Sequence, residues 1–157
     1  MEDNTKENGQ TGKEEQKFGC NLASGAEAEG VRRIGTLPSL ELVGIQCHIG
    51  SQIFDTHGFK LAAHRMVGLL AAIRDEHGVE LPELDLGGGH GIAYTAADDP
   101  MSTQDHAEGL RVIVGKECAD AGLGVPGGIV EPGRAVVGPT TGSVDAVATV
   151  SDLARVR

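Results

Sequence analysis

The sequence predicts an α/β fold built on parallel strands, and three observations predict it. Short apolar runs alternate with longer segments of helical period, in the order strand, helix, strand, helix, strand. The helical segments are long enough to serve as crossovers, the connection that parallel strands require. Each apolar run also stops at glycine or titratable residues: His48 and Ser51 after the first, Gly87 to Gly89 after the second, and Glu131, Gly133 and Arg134 after the third. In a parallel sheet the carboxyl ends of the strands share one face, and ligands bind there.

Taken in order, Met1 to Gln16 is polar and nearly free of apolar residues. It buries too little to offset its ordering entropy and reads as a disordered leader. Lys17-Phe18-Gly19-Cys20 is a short strand candidate, followed by a helix from Ala26 to Ile34 that Gly35 and Pro38 end. Leu40 to Cys47 reads as the first full strand. A long amphipathic helix then runs from Asp55 or Thr56 to His77, with Phe59, Ala62, Ala63, Met66, Leu70 and Ile73 on one face and Gly78 placed to stop it. The second strand is Glu83 to Leu86. Asp98-Asp99-Pro100 is a loop, and Ser102 with Asp105 three residues on predicts a helix N-cap. That helix carries Leu110, Ile113, Val114, Cys118 and Ala121 inward and ends at Gly122. The third strand is Gly128 to Val130. Val136-Val137 and the alternating Val144 to Val150 read as extended structure leaving the domain.

These elements divide the chain into a leader (1–16), a folded domain (17–150) and a tail (151–157). Two architectures remain open at this stage, a doubly wound sheet and part of a (β/α)8 barrel. A whole barrel needs about 250 residues, so three βα units would make roughly half of one. In a half barrel, Leu42, Ile45, Leu84, Leu86, Ile129 and Val130 are expected to point inward without an opposing layer, beside two open sheet edges.

Composition narrows the partners. The formal net charge is −10, which repels nucleic-acid backbones and anionic lipid. No apolar run approaches the roughly 20 residues of a membrane span. Aromatic residues make up only 3% of the chain, so the core has to be aliphatic. Cys20, Cys47 and Cys118 are odd in number and lie in apolar surroundings, and read as reduced, buried thiols of a cytoplasmic protein. Metal binding is not supported, because His57 and His64 stand seven apart without a carboxylate partner.

The chemistry gathers at Leu84-Asp85-Leu86-Gly87-Gly88-Gly89-His90-Gly91-Ile92. Glycines just past a strand can turn successive N–H groups onto one anion, most naturally a phosphate, whereas a triple glycine alone also fits a flexible turn. The dinucleotide fingerprint is not met. Ile92 stands where its third glycine belongs, and Tyr94 to Pro100 reads as loop where a helix should open. Three strand-end clusters in succession favour a phosphate-bearing ligand.

In order and spacing, His48-Ile49-Gly50-Ser51-Gln52, Leu86-Gly87-Gly88-Gly89-His90-Gly91-Ile92 and Glu131-Pro132-Gly133-Arg134 resemble the fold-type III pyridoxal-phosphate decarboxylases, and among them the diaminopimelate decarboxylases. Gln16 to Gly19 and Gly44 to Phe59 add to the likeness, which covers about residues 16–150. It implies an incomplete (β/α)8 TIM-type barrel of the pyridoxal-phosphate-binding kind, similar to alanine racemase and ornithine decarboxylase. It also implies decarboxylation of meso-2,6-diaminopimelate to L-lysine, with a homodimer for the full-length protein. The alternatives are a related ornithine or arginine decarboxylase, and a non-catalytic remnant that binds phosphate ligands or a partner.

By the same resemblance, His48 stacks on the pyridine ring and Ser51 lies on the phosphate side. Gly87, Gly88 and Gly89 offer N–H groups to the phosphate, and Glu131 keeps the pyridinium nitrogen protonated. Pro132 and Gly133 line the cofactor site, and Arg134 meets the phosphate or a substrate carboxylate. His90 departs from the family's larger apolar or aromatic residue. The family's Schiff-base lysine has no counterpart among Lys6, Lys13, Lys17, Lys60 and Lys116, and its C-terminal β domain has none either. On this reading the chain alone is an inactive fragment.

Overall fold

The computed structural model describes residues 19–140 apart from 21, together with 142 and 144. The expected leader, residues 17–18, positions 145–150 of the extended run and the tail lie outside them.

Among the described residues four α-helices and three strands follow in order: α1 (Ala26–Gly35), β1 (Gly44–Gln46), α2 (His57–His77), β2 (Glu83–Asp85), α3 (Thr103–Ala121), β3 (Gly127–Ile129) and α4 (Gly133–Val137). The strands form one parallel sheet in the order β1-β2-β3, with Ile45 opposite Leu84 and Leu84 opposite Gly128. Strand order follows chain order, each crossover being a single helix.

The crossover helices form where their periodicity places them. α2 buries Phe59, Ala62, Ala63, Met66, Val67, Leu70 and Ile73, and Gly78 takes the left-handed conformation that ends it, at φ 70°. α3 is capped as expected, the Ser102 hydroxyl accepting the Asp105 N–H, and Gly122 closes it at φ 64°. The two helices pack on each other and on one face of the sheet, around a core almost entirely aliphatic apart from Phe59.

Several expectations are corrected. The strands are three residues long: of residues 40–43 only Val43 reaches the ladder, its carbonyl accepting the Glu83 N–H, and Leu40 and Val43 are exposed. Val136-Val137 is helical, forming the end of α4. The apolar residues of the sheet do not all face an empty interior. Leu84 and Leu86 are buried against the helices, and Leu42 and Ile45 pack on the same core. The opposite face of β2 carries Glu83 and Asp85, so strand alternation assigns apolar residues to the helices and carboxylates to the other side of the sheet. Only Ile129 and Val130 are exposed, on the edge strand β3 and just past it. The cysteines divide as well: Cys118 is buried and Cys47 half-buried, but Cys20 is exposed. Among the described residues no helix is long and apolar enough to cross a membrane.

Candidate functional site

Beyond the strand ends the chain stays paired, and this continued pairing builds the site. The Leu86 N–H donates to the Ile129 carbonyl and the Glu131 N–H to the Gly87 carbonyl. β2 and β3 therefore reach the cleft side by side, one carrying the glycines and the other Glu131-Pro132-Gly133-Arg134. On the opposite flank, Ile53 bridges the glycine loop in parallel fashion. Its N–H donates to the Gly89 carbonyl at 2.8 Å, and its carbonyl accepts the Gly91 N–H at 3.0 Å.

These approaches explain why glycine is needed. A Cβ on Gly88 would lie 2.6 Å from the Glu131 carbonyl oxygen, and one on Gly89 would lie 2.6 Å from that of Gly50. Gly89 also has φ 112°, which L side chains rarely adopt.

The result is a cleft of roughly 250 Å³ whose wall includes His48, Ser51, Gly88, Gly89, Glu131, Pro132, Gly133 and Arg134, with His90. Every site residue expected from the sequence lies on this wall except Gly87. Its N–H donates to the Asp85 carboxylate at 2.7 Å, its carbonyl is taken by Glu131, and its φ of 71° makes the turn out of β2. Gly87 therefore shapes the loop, with its own polar groups already satisfied.

The next three residues are different. The N–H groups of Gly88, Gly89 and His90 donate to no acceptor among the described residues. Consecutive free N–H groups beside a guanidinium and a hydroxyl form a donor set suited to a phosphate. A ring nitrogen carrying a proton would find its acceptor in Glu131, whose carboxylate receives a long 3.4 Å hydrogen bond from Gln46 Nε2. The residues present thus fit a phosphorylated pyridine. Arg134 is held from the side, Nη1 donating to the Tyr94 hydroxyl at 2.5 Å and the guanidinium lying 5.8 Å from the Tyr94 ring centre. Tyr94 is fixed in turn by Asp98, whose carboxylate accepts the N–H groups of Tyr94 and Thr95.

Below the loop, His90 is buried against the ring of His106 at 4.4 Å, and His106 meets the edge of Phe59 at 4.9 Å. The Nδ1 of His90 has no hydrogen-bond partner. Burial, with His90 beside it, pushes the His106 imidazole below its ordinary range. Cys47, behind the glycine loop, is pushed up to about 11 by burial and by Asp85, which favours the neutral thiol. His106, Asp85 and Tyr94 were not singled out from the sequence. Only His106 carried a usable signal, four residues before the inward-facing Leu110 on the same helical face.

The architecture defines the class: a parallel α/β protein with a cleft at the carboxyl ends of its strands. Within that class, residues 1–138 match the family described as pyridoxal-dependent decarboxylase, pyridoxal binding domain, and the chain belongs to that family. It is 51% identical to the diaminopimelate decarboxylase of Corynebacterium efficiens, over 91% of this chain and 31% of that protein. The chain thus spans about a third of the length of the curated relatives it matches. Among solved structures, diaminopimelate decarboxylase from M. jannaschii superposes with a TM-score of 0.72 at 28% identity, covering 78% of this chain and 28% of that one. The Helicobacter pylori enzyme, complexed with L-lysine, gives 0.68 at 27% identity, over 86% and 32%. This likeness fits a barrel of the TIM type.

Proposed function

We propose that this chain forms the later half of a pyridoxal-phosphate-binding (β/α)8 barrel and supplies the phosphate- and ring-holding groups of a decarboxylase. The reaction is conversion of meso-2,6-diaminopimelate to L-lysine and CO2 in the cytoplasm, by a full-length homodimer. The observation that carries the reading is the single cleft on which His48, Ser51, Gly88, Gly89, Glu131 and Arg134 converge from three strand ends. The diaminopimelate decarboxylases among its relatives and the L-lysine complex of one neighbour support the substrate.

When bound, pyridoxal phosphate supplies the electron sink for the carbanion left by loss of CO2. The chain's own residues do the rest. Free N–H groups at Gly88, Gly89 and His90, with the Ser51 hydroxyl, hold the phosphate. His48 offers its imidazole to the ring face. Glu131 accepts a hydrogen bond from the ring nitrogen and so retains the proton at that atom. The Arg134 guanidinium meets the phosphate or a carboxylate of the substrate, where its planar fork offers two hydrogen bonds. Among the described residues the lysines are Lys60 and Lys116, and neither lines the cleft.

Titration calorimetry with pyridoxal phosphate and with unphosphorylated pyridoxal tests this reading. The phosphate ester should bind at least about tenfold more tightly, a difference of about 1.4 kcal/mol. Binding will be weak in absolute terms, since the net charge of −10 opposes any anion. Equal affinities would remove the glycine cradle from the account.

A further inference from the structure

Gln52 lies next to Ser51 of the cleft wall and stands apart from every other non-glycine residue described: its φ is 57°, in the left-handed region. A glutamine held there is strained, and such strain persists only where the surroundings enforce it. The surroundings are visible. The Gln52 carboxamide makes two reciprocal hydrogen bonds with the backbone of Ile92, Nε2 donating to the Ile92 carbonyl and Oε1 accepting the Ile92 N–H, each at 3.0 Å. One primary amide thereby imitates a peptide unit of a neighbouring strand. It continues the ladder that Ile53 begins at Gly89 and Gly91.

We infer that Gln52 is a positioning residue for the phosphate cradle, an inference that rests on the cleft being a phosphate site. The chain from Gly88 to Ile92 must keep the N–H groups of Gly88, Gly89 and His90 unbonded and on the cleft wall. Glycine supplies no side chain to hold such a loop, so the restraint has to come from outside it. Glu131 fixes the start of the loop at Gly87, Ile53 fixes its middle, and Gln52 fixes its far end. The same bond sets where the chain leaves towards Tyr94, the residue that holds Arg134. Gln52 is not part of the cleft wall. It binds the loop that is, and its left-handed backbone is what lets one residue present the amide while the next enters the ladder.

The clamp and a merely structural role predict different things. Amide hydrogen exchange on the native chain should show the Ile92 N–H protected without ligand. The N–H groups of Gly88, Gly89 and His90 should exchange freely until inorganic phosphate slows them. Gln52→Met keeps the length of the side chain and removes both hydrogen bonds, and Gln52→Gly also relieves the left-handed strain. Both should lower pyridoxal phosphate affinity about tenfold while changing pyridoxal affinity less than about twofold. An Ile92 N–H that exchanges as freely as its neighbours in the native chain overturns the clamp, whether or not the variants fold. So does native binding of phosphate that folded Gln52→Met reproduces. A native chain that shows no phosphate protection at 88–90 overturns the cradle reading, and the positioning role with it.

Discussion

The two faces of the sheet are built by different means. On the helix side, Leu84, Leu86, Phe59, Met66, Val67, Leu70, Leu110 and Val114 fill space with apolar side chains, and stability comes from area removed from water. On the cleft side little is packed. Gly87, Gly88 and Gly89 meet Cys47, Glu131 and Gly50 backbone to backbone, at spacings that leave no room for a Cβ. Polar bonds from Asp85, Gln52 and Asp98 set the loop conformations. The helix side can therefore exchange one aliphatic for another at modest cost, whereas the cleft side has atoms in fixed places that no volume-matched substitution preserves.

The largest effect should come from emptying the first face. Phe59 is 1% exposed and bridges the core to His106, so Phe59→Ala should cost about 3–5 kcal/mol. That is a large share of the usual 5–15 kcal/mol, and urea unfolding followed by circular dichroism should lose its midpoint or its cooperativity. By contrast Arg134→Ala, on the exposed cleft wall, should move stability by no more than about 0.5 kcal/mol. If both variants unfold alike, the two faces are not the independent constructions described.

Gly88→Ala sharpens the comparison because it strikes the seam between them. The added methyl meets the Glu131 carbonyl oxygen, backbone that can yield only by parting the β2 and β3 extensions. Stability should fall by about 1–3 kcal/mol, as for overpacking. Phosphate affinity should fall further than this loss of folding explains, because Glu131 and the N–H groups move together. Calorimetry under conditions where the variant remains folded separates the two effects. Full retention of affinity would show that the close approach is incidental.

What could be read from the sequence follows the same division. Helix positions, the Ser102 cap, the glycine stops and the inward faces of α2 and α3 all rest on local spacing, and spacing is written in the chain. The cleft residues were legible as three strand-end clusters, because parallel topology forces such ends onto one face. The roles of Gln52, Asp85 and Tyr94 were not. Each depends on which backbone group lies opposite across the fold, and nothing in the local composition encodes that. The strand lengths failed for a related reason. Leu40-Glu41-Leu42-Val43 has strand-like alternation, but ladder pairing of β1 begins only at Gly44, opposite Glu83. Val136-Val137 carries β-branched residues that favour a strand, yet it completes the helical turn after Pro132, where the Val136 N–H donates to the Pro132 carbonyl.

The smallest expected effect probes where the two faces meet, at the imidazole pair beneath the loop. His106 belongs to the core helix and His90 to the glycine loop, and both rings are buried. Burial, with His90 alongside, lowers the His106 pKa from its ordinary value of 6.5, so the folded state favours the neutral ring. A basic group whose pKa is depressed on folding adds stability that is fully present above the unfolded value. That stability is lost as pH falls through the folded one. Urea midpoints should therefore hold from about pH 7.5 to 6.5 and then decline with acid more steeply in the native chain than in His106→Phe, which cannot take up the proton. Because the chain carries many carboxylates, both proteins will weaken in acid, and only the difference between the two profiles reports on His106. Parallel profiles would mean that His106 charges without opposition, and that solvent reaches the underside of the glycine loop.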